Sequence, residues 1–120
     1  MAQAPLLDIE PADPESADAD GHALMVGARE KLGFLPNMYT YMAKLPPVLD
    51  GYLRTYEDFR ARSGFSPAEQ ETVFLTISRV NGCHYCTAAH SMIAEKMSGV
   101  PGDSLAALRD GRPLPDRDLQ

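Results

Sequence analysis

Both cysteines of the chain and two of its three histidines fall within eight residues, Cys83-His84-Tyr85-Cys86-Thr87-Ala88-Ala89-His90. On a helix turning about 100° per residue, positions 83, 86 and 90 share a stripe roughly 60° wide, which Ala94 and Met97 extend. Two thiols one turn apart can close a disulfide only where the first sits at or just before the helix start. Asn81-Gly82 supplies that break. The thiolate is the nucleophile in cysteine chemistry, and it is stabilised by the free N–H groups of a helix N-terminus and by a nearby imidazole. Cys86, in the first turn with His90 at i+4, is therefore the expected activated thiol, with the imidazole taking or returning its proton directly or through one water. A peroxide would oxidise Cys86 to a sulfenic acid, and Cys83 would resolve it as a disulfide before further oxidation. An external dithiol would then reset the pair.

The residues upstream predict the element that faces this stripe. Ser66-Pro67-Ala68-Glu69 is a capping box with proline at the first helical position, so a helix is expected over 67–80, ending at the C-cap pair Asn81-Gly82. Its circumference is mostly apolar, which suggests a central helix. Glu69 has a local task as the reciprocal capping residue. Glu71 falls on the line shared with Phe74, Leu75 and Ser78, and no neighbour on its own helix offers it a partner. A carboxylate entering a packed region needs one, and across a tight helix-to-helix turn the candidate is His90. A Glu71–His90–Cys86 relay would orient the imidazole and support proton transfer. The competing assignment for Glu71 is a surface salt bridge to Arg79 or Lys96.

Glu71, eleven intervening residues, then Cys83-x-x-Cys86-x-x-x-His90 resembles the signature of the alkylhydroperoxidase D-like family within the carboxymuconolactone decarboxylase superfamily. The resemblance extends to Leu35-Pro36-Asn37-Met38, Pro46-Pro47-Val48-Leu49, Ser66-Pro67 through Glu71, and Arg79 through Cys86, across most of residues 30–112. It implies an all-α helical bundle carrying a Cys-x-x-Cys helical hairpin, thiol-dependent peroxidase or disulfide-reductase activity, and assembly as a homo-oligomer. Carried over by position, Cys86 is the attacking thiol, Cys83 the resolving thiol, and His90 and Glu71 the proton relay. A hydroperoxide is the implied substrate and a dithiol of thioredoxin or lipoyl type the implied reductant, with no cofactor. Position 85 is Tyr85 where the best-studied branch has a second histidine, which makes the chain more similar to the branch described as peroxidase-related. Tyr85 is a candidate pocket wall or a packing residue. Relatives usually continue with further helices, so the ending Pro115 to Gln120 suggests a truncated or processed chain, or a core completed by a partner chain.

Three other assignments compete for the same residues. The cysteines, small and soft, can simply fill a helix interface. Cys83, Cys86 and His90 are also three ligands of a zinc site, although His22 is remote, His84 points off the stripe, and the fourth ligand would have to be Glu71 or water. The third is a disulfide reductase or electron adaptor that serves another peroxidase with the same two thiols.

Composition sets the frame. A chain of 120 residues is expected to form one domain, 21–120, behind an acidic, proline-rich arm, 1–20, whose Asp8 to Asp20 stretch is too poor in apolar residues to pack by itself. A net charge of -6 argues against a nucleic-acid or anionic-membrane partner. Without a signal-peptide pattern or an apolar run of about 18 residues, a cytoplasmic location is the default, and thiols there are kept reduced. Apolar spacing predicts further helices over 21–32, from Pro36 to Pro46-Pro47, over 47–61, over 83–98 and over 103–109. Met38/Met42 and Tyr52/Tyr56 are expected in the core, and Asp50, Arg54, Glu57, Asp58 and Arg60 outside it.

Overall fold

A computed structural model of the chain describes residues 4, 6 and 8–120, and all regular structure in them is helical. Six α-helices run in order: α1 Ala19–Leu32, α2 Asn37–Met42, α3 Pro46–Arg62, α4 Pro67–Val80, α5 His84–Lys96 and α6 Gly102–Asp110, followed by a 3₁₀ turn, Arg117–Leu119. The all-α expectation holds, with each helix within two residues of its predicted ends except α2, which stops at Met42. Among the described residues no helix is long and apolar enough to cross a membrane. The chain forms two compact units, Met1–Asp58 and Phe59–Gln120.

In the N-terminal unit, α1 starts two residues earlier than apolar spacing suggests because the Asp18 carboxylate accepts from the Gly21 N–H at 2.9 Å, capping the first turn. Gly33 ends the helix at φ 79°, a left-handed conformation that glycine adopts without steric cost. Met25, Ala28, Tyr39, Ala43 and Leu49 form the core, with Met38, Met42 and Tyr52 packed around it. The methionine and tyrosine pairs are thus packing residues; Tyr52 meets Tyr39 edge-on at 5.8 Å and stacks on Tyr56 at 5.9 Å. Of the acidic arm 1–20, residues 1–3, 5 and 7 lie outside the described residues. The remainder is tied down within this unit by the Ala12 N–H, which donates to the Thr40 carbonyl at 2.9 Å.

In the C-terminal unit, α4 packs against α5, α6 and the 3₁₀ turn. Its core is Leu75, Ala94, Val100, Leu105 and Leu108. Within this unit α4 takes the central place expected of it, meeting each of these elements. None of residues 68–75 is exposed, whereas towards the end of the helix Ile77 and Val80 are 53% and 78% exposed despite its apolar circumference. Helix α5 ends at Lys96, so Met97 lies beyond it as an exposed C-cap and does not extend the cysteine stripe, whereas Ala94 does and is fully buried. Arg79, at the end of α4, donates through Nη2 to the Asp110 carbonyl at 3.3 Å, joining the ends of α4 and α6.

Candidate active site

The phase of α4 is set at its first residues. Ser66 Oγ accepts from the Glu69 N–H at 3.2 Å and Glu69 Oε2 accepts from the Ser66 N–H at 2.6 Å, with Pro67 at the first position. This closed capping box holds Glu69 at the helix end. Glu71, two residues on, is carried about 200° around the axis to the buried side, along with Gln70, Leu75 and Ser78.

The turn to α5 is equally local. Asn81 caps α4, Gly82 adopts φ 64°, and the Cys83 N–H returns to the Ser78 carbonyl at 2.9 Å. Cys83 is the N-cap of α5, with extended backbone, and its Sγ accepts from the Cys86 N–H at 3.2 Å. A disulfide joins Cys83 to Cys86 with a Cα–Cα distance of 5.3 Å, inside the range such bonds require. Its first sulfur precedes the helix and its second lies in the first turn, and both residues are half-buried. The thiols are therefore redox-coupled to each other, at a helix end whose N–H groups favour negative charge on sulfur.

One turn beyond Cys86, His90 meets the carboxylate. Its Nδ1 lies 2.8 Å from Oε2 of Glu71, which is completely buried. A carboxylate oxygen only accepts, so Nδ1 carries the proton and donates. The other oxygen, Oε1, is held by the guanidinium of Arg60 in an ion pair. Glu71 is therefore no surface carboxylate paired with Arg79 or Lys96.

Arg60 corrects a second expectation, since its side chain is only 21% exposed. It sits in the last turn of α3, on the C-terminal unit's side of the division. Its Nη1 donates to Gln70 Oε1 at 3.0 Å, while Gln70 Nε2 donates back to the carbonyls of Arg60 at 3.1 Å and Phe65 at 2.9 Å. The guanidinium carbon stands 4.8 Å from the Phe74 ring centroid, a cation–π distance, and Phe74 stacks on His90 at 4.6 Å with an interplanar angle of 13°. Phe59 closes on Phe74 edge-on at 5.2 Å.

The four candidate residues thus form two joined pairs, Cys83–Cys86 and Glu71–His90, linked along α5 by the single turn between Cys86 and His90. Tyr85 is 47% exposed on the first turn of α5. Two clefts in this unit, of about 200 and 320 Å³, are lined by α4, α6 and C-terminal residues, and none of the five sequence-predicted residues lines either. Among the described residues no group of three or more His, Cys, Asp or Glu side chains converges as a metal site. Arg60, Gln70 and the ring face of Phe74 were not anticipated as site residues.

Residues 46–114 match the carboxymuconolactone decarboxylase family, from the start of α3 to just beyond α6. The chain belongs to the carboxymuconolactone decarboxylase family. The match spans more than half of the chain and contains every residue of the site. No curated protein matches the chain. Membership of the carboxymuconolactone decarboxylase family, together with a Cys-x-x-Cys pair that closes a disulfide, is compatible with a redox function.

Proposed function

We propose that the protein is a thiol-dependent peroxidase of alkylhydroperoxidase type, with Cys86 as the attacking thiol, Cys83 as the resolving thiol, and His90 and Glu71 as its proton relay. The observation that carries this reading is the His90–Glu71 hydrogen bond of 2.8 Å to a fully buried carboxylate, one turn from a closed Cys83–Cys86 pair. A cysteine pair that only filled a helix interface would need no such imidazole.

In the reduced protein His90 takes the Cys86 S–H proton, and the thiolate attacks the terminal oxygen of a hydroperoxide. The O–O bond breaks, Cys86 becomes a sulfenic acid, and the leaving alkoxide takes a proton to give the alcohol. The Cys83 thiolate then attacks the Cys86 sulfur, the S–O bond breaks, and hydroxide leaves as water after receiving the second proton. This yields the disulfide seen in the structure. An external dithiol, of thioredoxin or lipoyl class, reduces it by exchange and is itself oxidised. The same reading places the protein in a reducing compartment such as the cytoplasm and assembles it as a homo-oligomer, both resting on the resemblance of its motifs.

A second reading, an electron adaptor for another peroxidase, draws on the half-buried position of both cysteines outside the two clefts described, which leaves them open to a partner's dithiol. Mass spectrometry of the reduced protein after one equivalent of hydroperoxide separates the two. Rapid loss of two hydrogens as a Cys83–Cys86 disulfide, absent in Cys86→Ser, is expected. Full peroxide turnover by Cys86→Ser would refute the peroxidatic assignment, and thiols that oxidise only by exchange with a disulfide partner would favour the adaptor.

A further inference from the structure

We propose that Arg60 is the positioning residue of this site: by holding both Glu71 and Phe74 it fixes the His90 ring and keeps it neutral, with its proton on Nδ1. This rests on the reading of His90 as the proton acceptor for Cys86.

The argument begins with charge. Glu71 is fully buried, and a buried carboxylate is stable as an anion only beside a cation or when richly hydrogen-bonded. Two side chains reach its oxygens, Arg60 at Oε1 and His90 at Oε2. Arginine remains charged in proteins. Arg60 therefore compensates the carboxylate by itself, and a protonated His90 would place a surplus positive charge beside it. The imidazole that satisfies both the hydrogen bond and the charge balance is neutral, donates from Nδ1, and retains its lone pair on Nε2. That form can receive a proton from a thiol. An imidazolium drawn in as the sole counter-ion of Glu71 could not.

Geometry adds a second hold. The Glu71 hydrogen bond sets the rotation of the imidazole, and stacking on Phe74 at 4.6 Å and 13° sets its plane. Both partners converge on Arg60, through the ion pair and through the ring face at 4.8 Å. Gln70 in turn fixes the arginine, accepting from Nη1 and donating to the carbonyl of the same residue. The end of α3 is thereby tied to the phase of α4, and through α4 to the ring on α5.

The test is ¹⁵N NMR of the reduced protein labelled at histidine, at neutral pH, with His90 assigned against His22 and His84 by its loss in His90→Gln. Wild type is expected to show a protonated Nδ1 and a bare Nε2. In Arg60→Met, the ring should become doubly protonated as it takes over the counter-charge, and Arg60→Lys should restore the neutral pattern. A doubly protonated ring in wild type, or an unchanged neutral ring in a folded Arg60→Met, overturns the proposal. If Arg60→Met does not fold, the wild-type spectrum and Arg60→Lys decide it. The ring spectrum needs no peroxide, so absent turnover with the expected spectrum refutes only the peroxidase reading.

Discussion

Replacing Glu71 by glutamine tests the site at the point where stability and chemistry meet. The substitution keeps size and an oxygen for His90 Nδ1 but removes a charge from a position with no solvent exposure. Removing one partner of a buried pair typically costs about 3–5 kcal/mol, because the other charge is stranded. Here the stranded group is Arg60, about a fifth exposed and still served by Gln70 and the Phe74 face, which recover part of that cost. The expected destabilisation is therefore about 2–3 kcal/mol, just below that range. At about 4 °C per kcal/mol for a chain of this size, Tm should fall by about 8–12 °C. Loss of the relay should independently slow Cys86 oxidation by about 10²–10⁴-fold. Circular-dichroism melting and stopped-flow oxidation of the reduced protein measure the two effects. The double variant Arg60→Met/Glu71→Leu separates them: removing both charges should return stability to within about 1 kcal/mol of wild type without returning the rate. Wild-type Tm and rate in Glu71→Gln would show that no buried pair exists and would remove the carboxylate from the mechanism.

Cys83→Ser should still consume one equivalent of hydroperoxide and then stall as the Cys86 sulfenic acid or go on to the sulfinic acid; mass spectra showing continued turnover would remove Cys83 as the resolving thiol. His90→Gln should slow the first oxidation by about 10²–10⁴-fold, and an unchanged stopped-flow rate would remove the imidazole. Leu75→Ala, at a position 1% exposed in the centre of the C-terminal core, should cost about 2–5 kcal/mol by urea unfolding; a cost under about 0.5 kcal/mol would contradict the packing described.

What could be read in advance was whatever short-range rules decide. The Ser66–Glu69 box and Pro67 fix where α4 begins, and with it which carboxylate turns inward. Asn81-Gly82 fixes where it ends and leaves Cys83 as the cap of α5. These local features put Glu71, Cys83, Cys86 and His90 in phase before any packing is considered. The exposure of Ile77 and Val80 at the end of α4 has another origin. Apolar residues around a whole helix state that it can be enclosed, and only the number of neighbouring helices states whether it is.

Arg60 shows the limit most clearly. On α3 it lies among Asp50, Arg54, Glu57 and Asp58, and a periodic pattern assigns that whole face to solvent. The pattern holds for Arg54, which is paired with Asp50 one turn away and exposed. It fails at Arg60 because the last turn of α3 belongs to the C-terminal unit, where Gln70 and Glu71 both present acceptors to it. The missing information was nevertheless implied. Glu71 was expected to be buried, and a buried anion with a neutral histidine as its only partner is one charge short. Balancing that charge requires an arginine or lysine, and beside Arg79 and Lys96 of α4 and α5 the turn into Ser66 brings the end of α3 closest along the chain. Counting charges, more than reading periodicity, points to the residue that completes the site.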